Sequence, residues 1–368
     1  MHLDRVIISG GGTGGHIFPA LAIANAIKAS NANCEILFVG ANGKMEMERV
    51  PNAGYKIVGL DIRGLQRTLS LENLKFPFRV LNSLRKAKKI VKEFKPQVVI
   101  GVGGYASGPT LYAAKKLGIP TLIQEQNSYA GITNKLLGKK ADLVCIAYEE
   151  AEQFFPKKKI RLTGNPVRLS LKIDKSAEQA KEELGFNPNK PLLLVVGGSL
   201  GAAALNKFML EKAQSFNEQG IQVLWQTGKL FAEKKGAIAQ ELCEKLEGVK
   251  VQAFIEDMAT AYAASDLVVS RAGALAVSEL QFLSKASILV PSPYVAENHQ
   301  YKNAMALVKN DAATMVEEKD VDDKLFDSVI DLFSERDRII ELQENAGAMA
   351  LPNATLNIVK LAEELVHG

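Results

Sequence analysis

Short apolar runs rich in β-branched residues alternate with longer segments of helical hydrophobic spacing along almost the whole chain. Apolar strands separated by helices are typical of parallel sheets that are covered on both faces. The predicted strands are Val6–Ser9, Glu35–Gly40, Lys56–Leu60, Val98–Gly101, Thr121–Gln124, Leu143–Ile146, Ile160–Thr163, Leu192–Val196, Val223–Gln226, Val249–Ala253, Leu267–Ser270, Ser287–Val290 and Ala313–Val316. The pattern therefore predicts an α/β protein built from parallel sheets.

The same opening pattern occurs twice. Val6–Ser9 leads into a run of glycines and a helix that we expect to begin near Pro19. Leu192–Val196 leads into a second glycine-rich loop and then an alanine-rich helix. Each copy is a strand, a glycine loop and a helix, so we predict two doubly wound, Rossmann-like domains.

The length suits two domains, because 368 residues exceed the roughly 100–200 residues that one domain usually holds. We predict an N-terminal domain over residues 1–164 and a C-terminal domain over residues 165–350. After a break at Pro352, residues 351–368 form a last helix that we expect to pack at the domain junction.

Glycine loops between a strand and a helix let backbone N–H groups converge on an anion. Gly10, Gly12 and Gly15 also fit the spacing of dinucleotide-binding oxidoreductases, but that class needs an acid at the end of the second strand, which here closes with Gly40-Ala41-Asn42. A nucleoside triphosphate loop is excluded, because no Gly-Lys-Ser/Thr follows either cluster. The remaining alternatives are phosphate recognition and tight turns alone.

Composition indicates an ordinary core-forming chain, with 47% hydrophobic residues and a net charge of +4 that does not suggest nucleic-acid binding. Cys34, Cys145 and Cys243 are widely spaced, which favours a reducing compartment over a disulfide framework or zinc site. The first fifteen residues lack a leader pattern, and no apolar run approaches the roughly 20 residues of a membrane span. The charge is uneven, because Ile62–Lys95 carries ten basic residues against two acids.

Several motifs resemble one family along essentially the whole chain. They are Gly11-Gly12-Thr13-Gly14-Gly15-His16, Gly103-Gly104-Tyr105-Ala106-Ser107-Gly108-Pro109, Glu125-Gln126-Asn127, Gly164-Asn165-Pro166-Val167-Arg168, Gly197-Gly198-Ser199, Phe254-Ile255-Glu256-Asp257-Met258 and Arg271-Ala272-Gly273-Ala274-Leu275-Ala276-Val277-Ser278-Glu279. The set resembles the MurG family, the bacterial N-acetylglucosaminyltransferases of peptidoglycan synthesis. Leu200 and Ala276 depart from it, since Gln and Thr are common there.

The resemblance implies a GT-B architecture, with an acceptor domain, a donor domain and a cleft between them. It implies UDP-N-acetylglucosamine as donor and an undecaprenyl-linked muramoyl-pentapeptide, lipid I, as acceptor. It further implies transfer by direct displacement with inversion, giving a β-(1→4) link, without a cofactor or an active-site metal. Asp320-Val321-Asp322 looks like a metal motif, but we expect it to cap a helix.

The resemblance also assigns the substrate contacts. Arg168 and Ser199 would meet the diphosphate, where a guanidinium fork suits phosphate oxygens, Ile255 would meet the uracil and Glu279 the ribose. Gln300 and Asn127 would hold the donor sugar. The remaining expected donor contacts are Thr13, Gly14, Gly15, Ala274, Leu275, Ala276, Val277 and Ser278, and the acceptor contacts are Gly12, Gly104, Tyr105 and Ser107. The alternatives without a substrate contact are a surface ion pair for Arg168, a first-turn helix acid for Glu279 and a surface position for Gln300.

A base must take the proton of the acceptor's 4-hydroxyl as this oxygen attacks the anomeric carbon. His16 follows the first glycine loop, and a helix N-terminus favours the neutral imidazole that a base requires. Glu125 is the second candidate. His16 could instead only hydrogen-bond the loop or the acceptor phosphate.

The basic segment Ile62–Lys95 also carries exposed-looking apolar residues, and this combination suits an anionic membrane surface. The alternative is a solvated basic helix. A lipid-linked acceptor favours the membrane, so we expect a peripheral protein on the cytoplasmic face of the bacterial inner membrane. The rival functions are a UDP-sugar 2-epimerase of the same fold and another glycolipid-forming transferase.

Overall fold

The computed structural model describes residues 2–63, 76–167, 171, 173–198 and 200–368. The chain divides into two compact units, Met1–Arg168 with Leu351–Gly368, and Leu169–Ala350. Each unit contains one sheet whose strands all pair in parallel. The predicted α/β class with two doubly wound sheets is confirmed.

The first unit has a seven-stranded sheet in the order β3-β2-β1-β4-β5-β6-β7. Its strands are β1 (Arg5–Ser9), β2 (Glu35–Ala41), β3 (Lys56–Leu60), β4 (Val98–Gly101), β5 (Thr121–Glu125), β6 (Leu143–Ile146) and β7 (Ile160–Leu162). All four residues of β4 are buried, as are the last four of β1, because helices cover both faces. The apolar runs in the sequence therefore identified the centre of this sheet correctly.

Five α-helices of the first unit precede the second unit in the described residues: α1 (Gly14–Ser30), α2 (Glu46–Asn52), α3 (Phe76–Phe94), α4 (Ser107–Lys116) and α5 (Ile132–Gly138). Side chains of α3 and α4 share one core cluster with Ile7, Val99 and Ile123 of the sheet. Side chains of α1 form the core on the other face with Val6, Ile8 and Ile100. The two clusters are the two layers that the continuous apolar strands predict.

Helix α1 begins earlier than the sequence suggested. It starts at Gly14, directly after Thr13 in extended conformation, and Pro19 lies inside it. The amides of His16 and Ile17 both donate to the carbonyl oxygen of Thr13, which fixes this start. The expected start near Pro19 was wrong, and the consequence is that His16 lies in the first helical turn.

The second unit has a six-stranded sheet in the order β10-β9-β8-β11-β12-β13. Its strands are β8 (Leu192–Val196), β9 (Gln222–Gln226), β10 (Val249–Gln252), β11 (Leu267–Ser270), β12 (Ser287–Leu289) and β13 (Thr314–Met315). Its helices are α6 (Ala177–Glu183), α7 (Ala203–Glu218), α8 (Lys229–Glu244), α9 (Met258–Ala264), α10 (Ala274–Phe282), α11 (His299–Val308), α12 (Val321–Ser334) and α13 (Arg336–Ala348). Trp225 is fully buried in its core, and its indole N–H donates to Asn206 Oδ1 at 3.0 Å.

The last helix, α14 (Ala354–His367), belongs to the first unit. Ile358, Val359 and Ala362 join the core cluster that α1 forms on the sheet. Within the described ranges, no helix combines the length and the apolar character needed to cross a membrane.

Candidate active site

In the first unit, two glycine loops meet where the strand order reverses. The loops follow β1 and β4, which are neighbours in the sheet. A Cβ atom on Gly10 would lie 2.1 Å from Val102 Cγ2, and one on Gly104 would lie 2.4 Å from the carbonyl oxygen of Gly11. Only glycine allows this approach, and such a switch point is where parallel α/β sheets bind ligands.

His16 lies over this junction. Its Nδ1 is 3.0 Å from the carbonyl oxygen of Gly11, and because a carbonyl only accepts, Nδ1 carries a proton. In the neutral ring the lone pair is then on Nε2. A Cβ atom on Gly103, whose φ is +95°, would lie 2.8 Å from Nε2. The basic nitrogen of His16 therefore lies beside the second glycine loop.

Glu46 is a functional candidate that the sequence did not reveal. It is 1% exposed, and its carboxylate accepts the N–H of Gly12 at 2.8 Å and that of Ala41 at 2.9 Å. An acid therefore does reach the end of the second strand, five positions after Ala41. Because Glu46 is buried and accepts hydrogen bonds from the chain's own amides, it does not face a ribose. The dinucleotide-binding oxidoreductase class therefore gains no support from it.

Glu125, at the end of β5, is a buried carboxylate surrounded by donors. Oε1 accepts the backbone N–H and the side-chain amide of Asn127 at 3.0 and 3.1 Å. Oε2 accepts the N–H of Gly131 at 3.0 Å and the amide of Asn134 at 2.9 Å. Asn134 Nδ2 would lie 3.6 Å from a Cβ on Gly103, so this cluster adjoins the loop beside His16.

The other expected residues of the first unit differ in accessibility. Tyr105 is 50% exposed, whereas Ser107 is fully buried and its hydroxyl is within 2.6 Å of the carbonyl oxygen of Ser9. The side chain of Ser107 therefore supports the loop, and its expected contact with the acceptor stays a prediction. Gly14 and Gly15 open α1, where the first amides have no intrahelical acceptor.

In the second unit, the loops after β8 and β9 touch each other. Gly201 and Gly228 have φ of +86° and +80°, and a Cβ on Gly228 would lie 2.0 Å from the amide nitrogen of Gly201. Leu200, between the glycines of the first loop, is 55% exposed. Strand β11, the other neighbour of β8, leads into α10 at Ala274. These loops surround the switch point between β8 and β11.

Ile255 donates its amide to Gln226 Oε1 at 2.9 Å, and Gln226 Nε2 donates to the carbonyl oxygen of Gly198 at 3.3 Å. Gln226 is 4% exposed and joins the loop expected to meet uracil to the loop expected to meet the diphosphate. Sequence reasoning missed Gln226, because its hydrogen-bond partners lie in other loops.

Glu279 is the sixth residue of α10 and is 8% exposed. Its Oε2 accepts a hydrogen bond from Tyr262 Oη at 3.3 Å. A buried acid in the middle of a helix is not the first-turn acid that was the alternative. Ala274, Leu275 and Ala276 form the first turn of α10, and Val277 and Ser278 are buried behind it.

Gln300 lies in α11, and its Oε1 accepts the amide of Ser292 at 2.8 Å. Glu297 and Asn298, just before α11, adopt left-handed conformations with φ of +55° and +52°. Non-glycine residues in this region are rare and concentrate at functional sites. Gln300 thus sits beside a strained turn.

Arg168 and Ser199 lie outside the described residues. Asp320 occupies the cap position of α12, but its side chain makes no capping hydrogen bond. It pairs instead with Lys324 at 3.4 Å, and Asp322 pairs with Lys207 at 2.5 Å, so the expected capping bond was wrong. In the described part of the chain, no group of three or more His, Cys, Asp or Glu is arranged to hold a metal.

Two parallel sheets, each with glycine loops at its switch point, define the GT-B class of nucleotide-sugar enzymes. The glycosyltransferase family 28 N-terminal domain matches residues 6–146, and the glycosyltransferase family 28 C-terminal domain matches residues 192–363.

A relative from Cytophaga hutchinsonii is 52% identical over 365 residues, which is 99% of this chain and 97% of the relative. One from Bacteroides fragilis is 49% identical over 366 residues, which is 98% of this chain and 96% of the relative. Both are named UDP-N-acetylglucosamine–N-acetylmuramyl-(pentapeptide) pyrophosphoryl-undecaprenol N-acetylglucosamine transferase. The chain belongs to this family of transferases, within glycosyltransferase family 28.

Solved structures agree. The crystal structure of MurG from Acinetobacter baumannii has a TM-score of 0.77 and 31% identity, over 98% of this chain and 99% of that one. A UDP-GlcNAc 2-epimerase from Neisseria meningitidis, bound to UDP-GlcNAc, has a TM-score of 0.65 at 14% identity, over 98% of this chain and 100% of that one. The second likeness concerns the fold alone.

Proposed function

We propose that the protein transfers N-acetylglucosamine from UDP-N-acetylglucosamine to the 4-hydroxyl of the muramoyl sugar of undecaprenyl-linked lipid I. The acceptor oxygen forms a bond to the anomeric carbon as the bond to UDP breaks, and the configuration inverts. The products are UDP and the β-linked disaccharide of lipid II. Relatives named for this reaction and similar over nearly the full length support the assignment.

The observation that carries the mechanism is the geometry of His16. Its Nδ1 donates to the carbonyl oxygen of Gly11, so the neutral ring has its lone pair on Nε2, beside Gly103 at the switch point. Nε2 takes the proton of the 4-hydroxyl as the oxygen attacks. Glu125 has donors on both oxygens and serves to hold Asn127 and Asn134 in position.

The departing UDP is stabilised by the second unit. The amides of Ala274, Leu275 and Ala276 open α10, and a helix N-terminus favours an anion. Arg168 and Ser199 add a guanidinium and a hydroxyl to the diphosphate. Glu279 accepts from the ribose hydroxyls, and Ile255 meets the uracil. Gln300 and Asn127 contact the sugar.

Labelled UDP-N-acetylglucosamine tests the reaction class. With a lipid-linked muramoyl acceptor we expect labelled lipid and free UDP, and without the acceptor we expect neither. Formation of the 2-epimer in the absence of acceptor would instead identify an epimerase, the rival that shares the fold. Transfer to diacylglycerol in place of the muramoyl lipid would identify a different glycolipid synthase.

The role of His16 is tested by His16→Ala. A positioned base typically contributes about 100-fold or more, so we expect kcat to fall by at least that factor while the donor KM changes little. His2→Ala, which removes an exposed imidazole of the same unit, is the control. Turnover that stays at the wild-type rate would eliminate His16 as the base.

We further propose that the first unit binds an anionic leaflet on the cytoplasmic face of the inner membrane. In α3, Phe78 is 71% exposed and Leu81 is 51% exposed. Exposed Arg85, Lys88 and Lys92 follow at spacings of three or four residues, on the same side of the helix. Each basic residue near an anionic surface contributes about 1 kcal/mol. Residues 64–75 of the predicted membrane segment lie outside the described residues.

Helices α4 and α5 of the same unit carry further exposed apolar and basic side chains. In α5, Ile132 and Leu136 are 65% and 67% exposed and one turn apart. Between α4 and α5 lies a cavity of about 460 Å³. The basic and aromatic side chains that line it are Tyr112, Lys115, Lys116, Lys139, Lys140 and Lys159. Exposed apolar side chains together with lysines suit the boundary between headgroups and acyl chains.

Vesicle sedimentation tests the surface. We expect binding to phosphatidylglycerol vesicles that weakens with salt, and little binding to phosphatidylcholine. Phe78→Ser with Leu81→Ser should reduce it, whereas Leu356→Ser, which changes an equally exposed side chain on α14, should not. Lys86 is a poor choice for neutralisation, because its Nζ donates to the carbonyl oxygen of Gly59 at 2.7 Å. Vesicle binding that changes neither with salt nor with the α3 substitutions would refute the proposed membrane-binding surface.

A further inference from the structure

The peptide group between Gly11 and Gly12 is hydrogen-bonded at both of its ends. Its N–H donates to Glu46 Oε2 at 2.8 Å, and its carbonyl oxygen accepts from His16 Nδ1 at 3.0 Å. One amide thus lies between a buried carboxylate and the imidazole that the proposed function uses as the base. Hydrogen bonds in such a chain polarise one another and strengthen together.

The fit of Glu46 shows that the loop is built around it. A Cβ on Gly11 would lie 2.2 Å from Glu46 Cδ, and one on Gly40 would lie 2.6 Å from Glu46 Cγ. The second oxygen accepts the amide of Ala41 at 2.9 Å. In the described chain, no Lys, Arg or His lies within ion-pair distance of Glu46, so its charge is compensated by amides alone.

We propose that Glu46 acts through the Gly11–Gly12 peptide to hold His16 as the Nδ1–H tautomer and to make Nε2 more basic. The inference rests on the proposed function of His16. A negative carboxylate on the N–H end increases the electron density at the carbonyl oxygen. This oxygen then holds the Nδ1 proton more firmly and favours the imidazolium formed during transfer. Glu46 is a positioning residue, because it does not touch the substrate.

Among the residues that the structure describes, the other ionisable groups to consider lie on α2, α3 and β5. Glu48 and Arg49 share α2 with Glu46 and are exposed. Lys86, on α3, donates to the carbonyl oxygen of Gly59. Glu125 approaches the imidazole from β5 through Asn134. Of these carboxylates, Glu46 is the one joined to His16 by a single peptide.

Glu46→Gln tests the proposal, with Glu48→Gln on the same helix as the matched control. Glutamine can accept from only one of the two amides, and it carries no charge. We expect kcat to fall by about tenfold with the donor KM kept, because the base is weaker. The acidic limb of the pH–rate profile should move to lower pH, because an imidazolium without the carboxylate loses its proton more easily. An unchanged limb would overturn the proposal, even if activity or stability fell.

Nitrogen NMR of the wild-type protein gives a second test that does not depend on a variant folding. With four histidines in the chain, the ring nitrogens of His16 can be assigned by comparison with His16→Gln. We expect His16 to be protonated on Nδ1 when neutral. An Nε2–H tautomer would refute the proposal that Glu46 acts on His16 through the Gly11–Gly12 peptide. If this tautomer is found but His16→Ala turns over normally, the proposed base fails and the hydrogen-bond chain stands.

Discussion

Glu125 ends strand β5 and His16 lies in the first turn of α1, and the surroundings of these two ionisable side chains differ. Four N–H donors, two on each oxygen, engage the carboxylate of Glu125. His16 donates from Nδ1 to the carbonyl oxygen of Gly11, which places the lone pair of the neutral ring on Nε2. The donors on both oxygens tie Glu125 to Asn127, Gly131 and Asn134. We therefore keep His16 as the proposed base and propose that Glu125 orders the residues around it.

Glu125→Gln should act mainly on stability and binding. Its amide group would face N–H donors, and a buried mismatch of this kind costs about 1–3 kcal/mol. We expect a lower melting temperature and a higher donor KM, because Asn127 loses its support, while the acidic limb of the pH–rate profile stays where it is. A shifted limb with unchanged stability would instead make Glu125 the base.

Sequence reasoning found His16 and Glu125 because each lies beside a glycine loop or a strand end. It could not find Glu46, whose partner Gly12 is 34 positions away and contributes only a backbone amide. A backbone amide is the same in every residue except proline, so residue types alone do not show that it binds a distant side chain. The position of α2 must be known before the contact of Glu46 can be recognised. Gln226 was not predicted for the same reason, because it binds a backbone amide and a backbone carbonyl in two other loops.

At the scale of elements, strands were easier to predict than helix starts. Strands buried on both faces, such as β4 and β8, read as unbroken apolar runs. The start of α1 was missed because glycines normally indicate a loop, whereas here Gly14 and Gly15 are helical. The error matters, since it is the early start that brings His16 into the first turn.

The contact between the loops after β8 and β9 gives a prediction for Gly228→Ala. The added Cβ would meet Gly201 at 2.0 Å, so we expect a loss of several kcal/mol and weaker UDP binding. Gly220→Ala is the matched control, because Gly220 has a similar φ of +75° but nothing within 4 Å of the added Cβ. There only backbone strain applies, about 1 kcal/mol. Chemical denaturation and UDP titration of both variants measure the difference, and equal losses would contradict it.

At the scale of the whole molecule, each unit has its own core and its own buried thiols. Burial raises the pKa of Cys34 to about 11 and that of Cys145 to about 12, both in the first unit. Burial also raises the pKa of Cys243, in the second unit, to about 11. Since the thiolate is the reactive form, all three should resist alkylation at pH 8 in the native protein.

Alkylation at increasing denaturant should then report on the two units separately. We expect Cys34 and Cys145 to become reactive with one midpoint and Cys243 with another, because their core clusters do not share residues. Mass spectrometry of the three peptides measures each midpoint. A single midpoint for all three thiols would mean that the units unfold as one.

Helix α14 has a consequence for how the chain is made. The core of the first unit needs Ile358, Val359 and Ala362, which leave the ribosome after everything in the second unit. During synthesis, the second unit can fold first, while one hydrophobic face of the first unit is still uncovered. Nascent chains stalled just before residue 354 should therefore bind chaperones through the first unit.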